Sequence, residues 1–221
     1  MLYEQLLGQT TQCQATLQSG DLKHANAVCN AIISAVSTAG GPFNNYDVTK
    51  TCLPNMPLCY DFDPLTAYLN RPDVQAAIGV NGKWAVCSSV SGGFMRIEDD
   101  WWSSQSAEIP ALLAKGQRVL VYGGTNDFIV NFLGSEAWVR QLVWPGQKPY
   151  QNSPRSVWTI NSLIAGYALE YQSLSMVAVI NAGHMVPMDM PISAYDLFLR
   201  MITNQTFVAP ATLSPLDLSD S

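Results

Sequence analysis

Hydrophobic and polar positions change their period several times along this chain, and each change marks an element. Leu2, Leu6 and Leu7, then Leu22, Ala25, Val28, Ile32 and Val36, recur at helical spacing and predict two short helices within residues 1–40. From Ala39 to Pro57 the pattern dissolves among Gly40-Gly41-Pro42, paired asparagines and further prolines, which predicts an extended, loop-rich segment. Asp63-Pro64 opens a helix, with Asp63 as N-cap and proline tolerated at the first helical position. Tyr68 to Pro72 breaks it, and Asp73 to Ile78 reopens a short helix closed by Gly79.

The second half reads as alternating strands and helices. Glu108 to Leu113 forms a helix stopped by Gly116, Arg118 to Tyr122 a β-rich run, and Gly123-Gly124 a tight turn. A helix follows with Phe132, Leu133, Trp138 and Leu142 on its apolar face. Ser156–Ile160 and Gly166–Tyr171 predict a hairpin or meander. Met176–Ile180 is an unbroken apolar run, the signature of a strand buried on both faces of a parallel sheet. Pro191 opens a last amphipathic helix over Ile192–Ile202, and the tail from Ala209 to Ser221 is polar and expected to fray.

Composition narrows the class. With 221 residues and 48% hydrophobic content the chain can bury a core. A net charge of −6 with pI near 4.7 argues against a nucleic-acid partner or an anionic membrane surface. No apolar run reaches bilayer length, and Met1–Gln12 lacks the basic and apolar regions of an export signal. Cysteine usage points the other way, because Cys13, Cys29, Cys52, Cys59 and Cys87 all lie in the first half among loop-forming residues, as in disulfide-containing exported proteins. Cys13 with Cys29 would staple the two first helices, and Cys52 with Cys59 is the preferred second pairing among three connectivities for four cysteines. The odd cysteine and the absent export signal together suggest that the beginning of the protein is missing. Asn204-Gln205-Thr206 is a glycosylation acceptor triplet, which agrees with a secretory route. No metal is expected, since no CxxC spacing occurs and the chain has two histidines.

Two residues carry candidate chemistry. His184, in Asn181-Ala182-Gly183-His184-Met185-Val186-Pro187, leaves the carboxyl edge of the buried strand, where open α/β sheets place their active sites. Asp127 follows the β-rich run through Gly123-Gly124-Thr125-Asn126 and occupies the same edge; its bland alternative is the N-cap of the following helix. Ser91, in Ser89-Val90-Ser91-Gly92-Gly93, lacks the glycine a nucleophile elbow requires where Ser89 stands, so it reads as a loop residue.

Strand, aspartate loop, helix, strands, histidine loop and helix resemble the second half of an α/β-hydrolase, whose triad runs Ser, Asp, His. Val119 to Gly134 with Glu136-Ala137-Trp138, and Ala182-Gly183-His184-Met185-Val186-Pro187 with Pro191, resemble the signatures of serine carboxypeptidases. So do Asn45-Tyr46-Asp47-Val48, Cys59-Tyr60-Asp61, Tyr68-Leu69-Asn70 and Trp84-Ala85-Val86-Cys87. The fold class this implies is α/β: the C-terminal half of an α/β-hydrolase sheet with a helical, disulfide-containing insertion at its N-terminal end. Residues 1–62 would be the insertion or lid region, 63–208 the hydrolase core and 209–221 the tail.

The resemblance implies roles residue by residue. Asp127 would be the triad acid and His184 the general base, while Tyr46, Tyr60 and Met185 would line the leaving-residue pocket, and Trp101, Ile129 and Val130 the pocket for the residue before the scissile bond. Cys87 would bridge to the missing half. The family's nucleophile elbow, oxyanion donors and carboxylate-binding groups have no counterpart here, and Gly124-Thr125 stands where the family has Gly-Asp. The implied function is a serine-type carboxypeptidase of the secretory route, extracellular, vacuolar or lysosomal, with no cofactor. Peptide C-termini would be its substrate, the missing N-terminal half its partner, with homodimerisation left open; this chain alone would be inactive. The alternatives are a non-catalytic fragment or binding protein and a related acyltransferase.

Overall fold

A computed structural model describes residues 2–41, 43–52, 56, 59–86 and 104–207. Cys87, Trp101 and the 209–221 tail lie outside the described residues. The chain divides into two compact units, Met1–Asn44 with Lys50–Ser104, and Asn45–Thr49 with Gln105–Ser221.

The first unit opens with helices α1 (Leu2–Ser19) and α2 (Leu22–Gly40), joined at Gly20 and tied by the Cys13–Cys29 disulfide. Asp21 starts α2 by accepting the His24 amide at 3.0 Å. Ala25 and Cys29 are buried between the helices, whereas Leu2 and Leu7 stay exposed because a two-helix hairpin covers only one stripe of each helix. A second disulfide joins Cys52 and Cys59. Helices α3 (Asp63–Leu69) and α4 (Pro72–Ile78) follow, and Gly79 ends α4 in the left-handed conformation. Asp63 is not the cap expected of it: it is the first helical residue, and the side chain of Asp61 accepts its amide at 3.0 Å. Between Asn70 and Trp84 two hydrogen bonds close the loop after α4, with Asn70 Oδ1 accepting the Trp84 amide and Nδ2 donating to the Trp84 carbonyl.

The second unit is built on a four-stranded sheet. A 3-10 turn and helix α5 (Ile109–Ala114) lead into β1 (Val119–Gly124), then come α6 (Phe132–Gln141), α7 (Gln147–Asn152), β2 (Ser156–Ile160), β3 (Leu163–Tyr171), β4 (Leu174–Val179), the short α8 (Val186–Asp189) and α9 (Pro191–Thr203). Strand order is β1-β4-β3-β2: β1 runs parallel to β4, and the other neighbours are antiparallel. The β2–β3 turn is made by Asn161 and Ser162, both at positive φ, as a tight hairpin of right-twisted strands requires. All six residues of β4 are buried, since both faces are covered. Val177 and Val179 join Trp158, Leu197 and Phe207 in one core, while Leu174 and Met176 join Val139, Leu142 and Tyr150 in the other.

Two buried charge networks brace these layers. Asp196 accepts from Trp158 Nε1 at 2.8 Å and from Arg200 Nε at 2.6 Å, tying α9 to β2. Glu136 on α6 accepts from Arg140 at 2.8 Å and Arg155 at 2.5 Å. Burial opposes its charge, but the hydrogen bonds and positive charges of the two arginines outweigh burial and hold the carboxyl below the ordinary glutamate range. The apolar face expected of α6 is partly different: Val139 and Glu136 turn inward, whereas Leu133 and Trp138 are exposed.

Candidate active site

The parallel pairing of β1 with β4 places the ends of both strands side by side, with Gly124 opposite Val179. Hydrogen bonding continues past the strands, as the Thr125 amide donates to Val179 O and the Asn126 amide to Ala182 O, both at 2.9 Å. The aspartate and histidine loops are thereby stitched together. Gly124 is required for this contact: a Cβ there would lie 2.2 Å from Ala182 O and 2.3 Å from Gly183 O. The Gly123-Gly124 pair is therefore strand, not the tight turn expected; the glycine serves a close backbone approach.

Asp127 is almost buried. Its Oδ1 accepts the Val130 amide at 3.2 Å and its Oδ2 lies 2.9 Å from His184 Nδ1. The cap of α6 is Asn131, which accepts the Gly134 amide at 2.8 Å, so the N-cap alternative for Asp127 does not hold. A carboxylate at Nδ1 favours the Nδ1–H tautomer of neutral imidazole and leaves Nε2 with its lone pair. The His184 side chain keeps 36% of its surface exposed. Such a pair can hold a base in one orientation and stabilise the imidazolium formed when Nε2 takes a proton.

A strap of residues 45–49 crosses both loops. Asn45 O accepts the amides of Phe128 and Ile129 at 3.1 Å each, Val48 N donates to Asn126 O at 3.0 Å, and Tyr46 O accepts the His184 amide at 2.8 Å. The Tyr46 ring stands edge-on to the imidazole, with centroids 5.3 Å apart. A recess of about 180 Å³ is bounded by Tyr122, Gly123, Gly124, Asp127, Val130, His184 and Val186. Ligand pockets usually exceed about 300 Å³, so these walls enclose only part of a substrate-sized site.

Of the residues singled out from sequence, Asp127, His184, Tyr46 and Val130 meet here, and Ile129 and Met185 adjoin them in the chain. Tyr60 belongs to the first unit, buried against Phe62. Trp101 and Cys87 lie outside the described residues. Two carboxylates of the site were missed: Asp47, fully buried in the strap, and Asp189, whose Oδ2 accepts the Gly183 amide at 2.9 Å. Asp47 stands in the quoted Asn45-Tyr46-Asp47 motif, but nothing in the sequence marked Asp189. Among the described residues no three His, Cys, Asp or Glu side chains converge as a metal site.

A family model described as serine carboxypeptidase, Peptidase S10, matches residues 2–204. The chain is 40% identical over 195 residues to serine carboxypeptidase S10 family member 1 of Dictyostelium discoideum, covering 87% of this chain and 46% of that protein. It is 38% identical over 173 residues to a serine carboxypeptidase-like protein of Pisum sativum, covering 78% and 59%. Among solved structures it superposes on Kex1(delta)p, a prohormone-processing carboxypeptidase from Saccharomyces cerevisiae, with TM-score 0.69 at 20% identity, over 91% of this chain and 47% of that one. The chain thus spans about half the length of these relatives.

Proposed function

Because the chain belongs to the serine carboxypeptidase family, we propose that it supplies the acid and base of a serine-type carboxypeptidase whose nucleophile lies outside these 221 residues. The observation that carries this is the 2.9 Å pairing of His184 Nδ1 with nearly buried Asp127, at the carboxyl ends of adjacent parallel strands. In the complete site a serine hydroxyl attacks the carbonyl of the last peptide bond as His184 Nε2 takes its proton. The tetrahedral intermediate collapses, the C–N bond breaks, and the same proton goes to the departing amino acid. Water then attacks the ester, giving a proton to Nε2, and serine leaves with that proton restored. Asp127 fixes the ring and stabilises the imidazolium throughout. Tyr46 and Met185 serve the leaving residue, and Ile129 and Val130 the residue before it.

The partner is the nucleophile-bearing half of the same enzyme. No Gly-x-Ser-x-Gly occurs in the chain, and the relatives it matches are about twice as long. Among the described residues strand β1 pairs on one side, and Tyr122, Tyr195 and Phe198 expose apolar surface in a recess that includes Leu120 of that strand. The two disulfides, and the exposed Asn204 acceptor at the end of α9, support a secretory-route location.

The test is to express the chain alone and together with a Gly-x-Ser-x-Gly half, assaying amino-acid release from a blocked dipeptide. Release by the pair only, sensitive to a serine-directed phosphonylating reagent, is expected. Transfer of the acyl group to an added alcohol in place of hydrolysis would reassign the protein as an acyltransferase. Failure of an assembled pair to react with the reagent would overturn the catalytic reading.

A further inference from the structure

The sheet brings Asp127 and His184 to neighbouring loops, but strand register alone does not set the height of an imidazole on a loop five residues past its strand. The residue before His184 is where other groups converge. A Cβ on buried Gly183 would lie 2.3 Å from Tyr46 O, 2.8 Å from Asp47 Cβ and 3.1 Å from Asp189 Oδ2. The amides on either side of that Cα are both anchored: Gly183 N–H to Asp189 Oδ2 at 2.9 Å, and His184 N–H to Tyr46 O at 2.8 Å. Asp189 is itself fixed, since its amide donates to Met185 O at 2.9 Å and so closes the histidine loop on itself. On the strap, Asp47 Oδ1 accepts the Thr49 amide at 3.0 Å and the Thr49 hydroxyl at 2.6 Å, which folds residues 45–49 into the turn that meets both loops.

We propose that Asp189 and Asp47 are positioning residues for His184, latching the histidine loop and the strap around Gly183 so that Nδ1 stays within hydrogen-bond reach of Asp127. This rests on the acid–base reading of that pair. A displacement of about 1 Å would take the pair out of hydrogen-bond range, and misplacement of that size lowers turnover by about 100-fold.

The chain has two histidines, His24 and His184, so the His184 ring proton is readily assigned by NMR in the labelled 221-residue chain. A far-downfield Nδ1–H resonance is expected, and lost in Asp127→Ala; its survival there would overturn the acid–base pair itself. With that control satisfied, Asp189→Ala and Asp47→Ala are expected to move the resonance upfield or abolish it in protein that still unfolds cooperatively, while Asp189→Asn, which keeps an accepting oxygen, restores it. An unchanged resonance in both folded alanine variants would overturn the proposal. If the alanine variants fail to fold, Asp189→Glu decides: it keeps the charge and displaces the acceptor by one methylene, so a shifted resonance supports positioning and an unshifted one rejects it.

Discussion

His184 Nδ1 and Asp127 Oδ2 are 57 residues apart in sequence and 2.9 Å apart in space, with the carboxylate nearly buried and the imidazole part-exposed. In the assembled enzyme, Asp127→Asn is expected to lower kcat by about 10⁴-fold by favouring the wrong imidazole tautomer. His184→Ala should lose at least as much, with its thermal transition little changed because the ring is part-exposed. Steady-state kinetics beside thermal melts check both; normal turnover in either would reject the acid–base assignment.

Adjacent glycines should respond differently to one methyl group. At Gly123 an added Cβ meets Phe132 at 3.6 Å, ordinary contact, whereas at Gly124 it meets two backbone carbonyls near 2.2 Å. Gly124→Ala is therefore expected to destabilise by about 1–3 kcal/mol or more and to separate the two loops, and Gly123→Ala by much less. Urea titration of both variants compares them.

Glu136 gives the second unit an acid-sensitive brace. Its folded carboxyl titrates below the unfolded one, so its contribution is fully present above the unfolded value, about 4.3, and is lost as pH falls through the lower folded value. Glu136→Gln should destabilise by about 2 kcal/mol at neutral pH. The gap from wild type should narrow as pH falls below the unfolded glutamate value and close once it passes the lower folded one. Parallel stability curves against pH would show otherwise if the gap persisted in acid.

Asp196 neutralises a buried arginine and satisfies a buried indole at once. Asp196→Ala is expected to cost about 3–5 kcal/mol by stranding Arg200, while pairing Asp196→Leu with Arg200→Met should recover much of that. Equal loss in single and double variants, measured by chemical denaturation, would speak against a stranded charge.

Elements with a repeating pattern were legible before folding. The last helix, the apolar run Met176–Ile180 that marks most of β4, and the two strand patterns Ser156–Ile160 and Gly166–Tyr171 declare themselves through periodicity, a local property. The face of α6 was not, because Glu136 turns inward only where Arg155, 19 residues away, is brought to meet it. The start of α3 is a similar case: Phe62, not Asp63, stands at the cap position, and Asp61 accepts the Asp63 amide from outside the helix.

By itself the sequence determined the family signatures, the Cys13–Cys29 and Cys52–Cys59 candidates and the two loops that carry Asp127 and His184, since residue identity and spacing are written along the chain. Only the tertiary structure decided how those loops are held: by the close approach that Gly124 permits, by a strap from a segment nearly 80 residues before Asp127 in the chain, and by Asp47 and Asp189 meeting at Gly183. The strap meets both loops through backbone groups far apart in sequence, and a backbone amide or carbonyl carries no mark of its residue type, so nothing in the sequence announces those contacts.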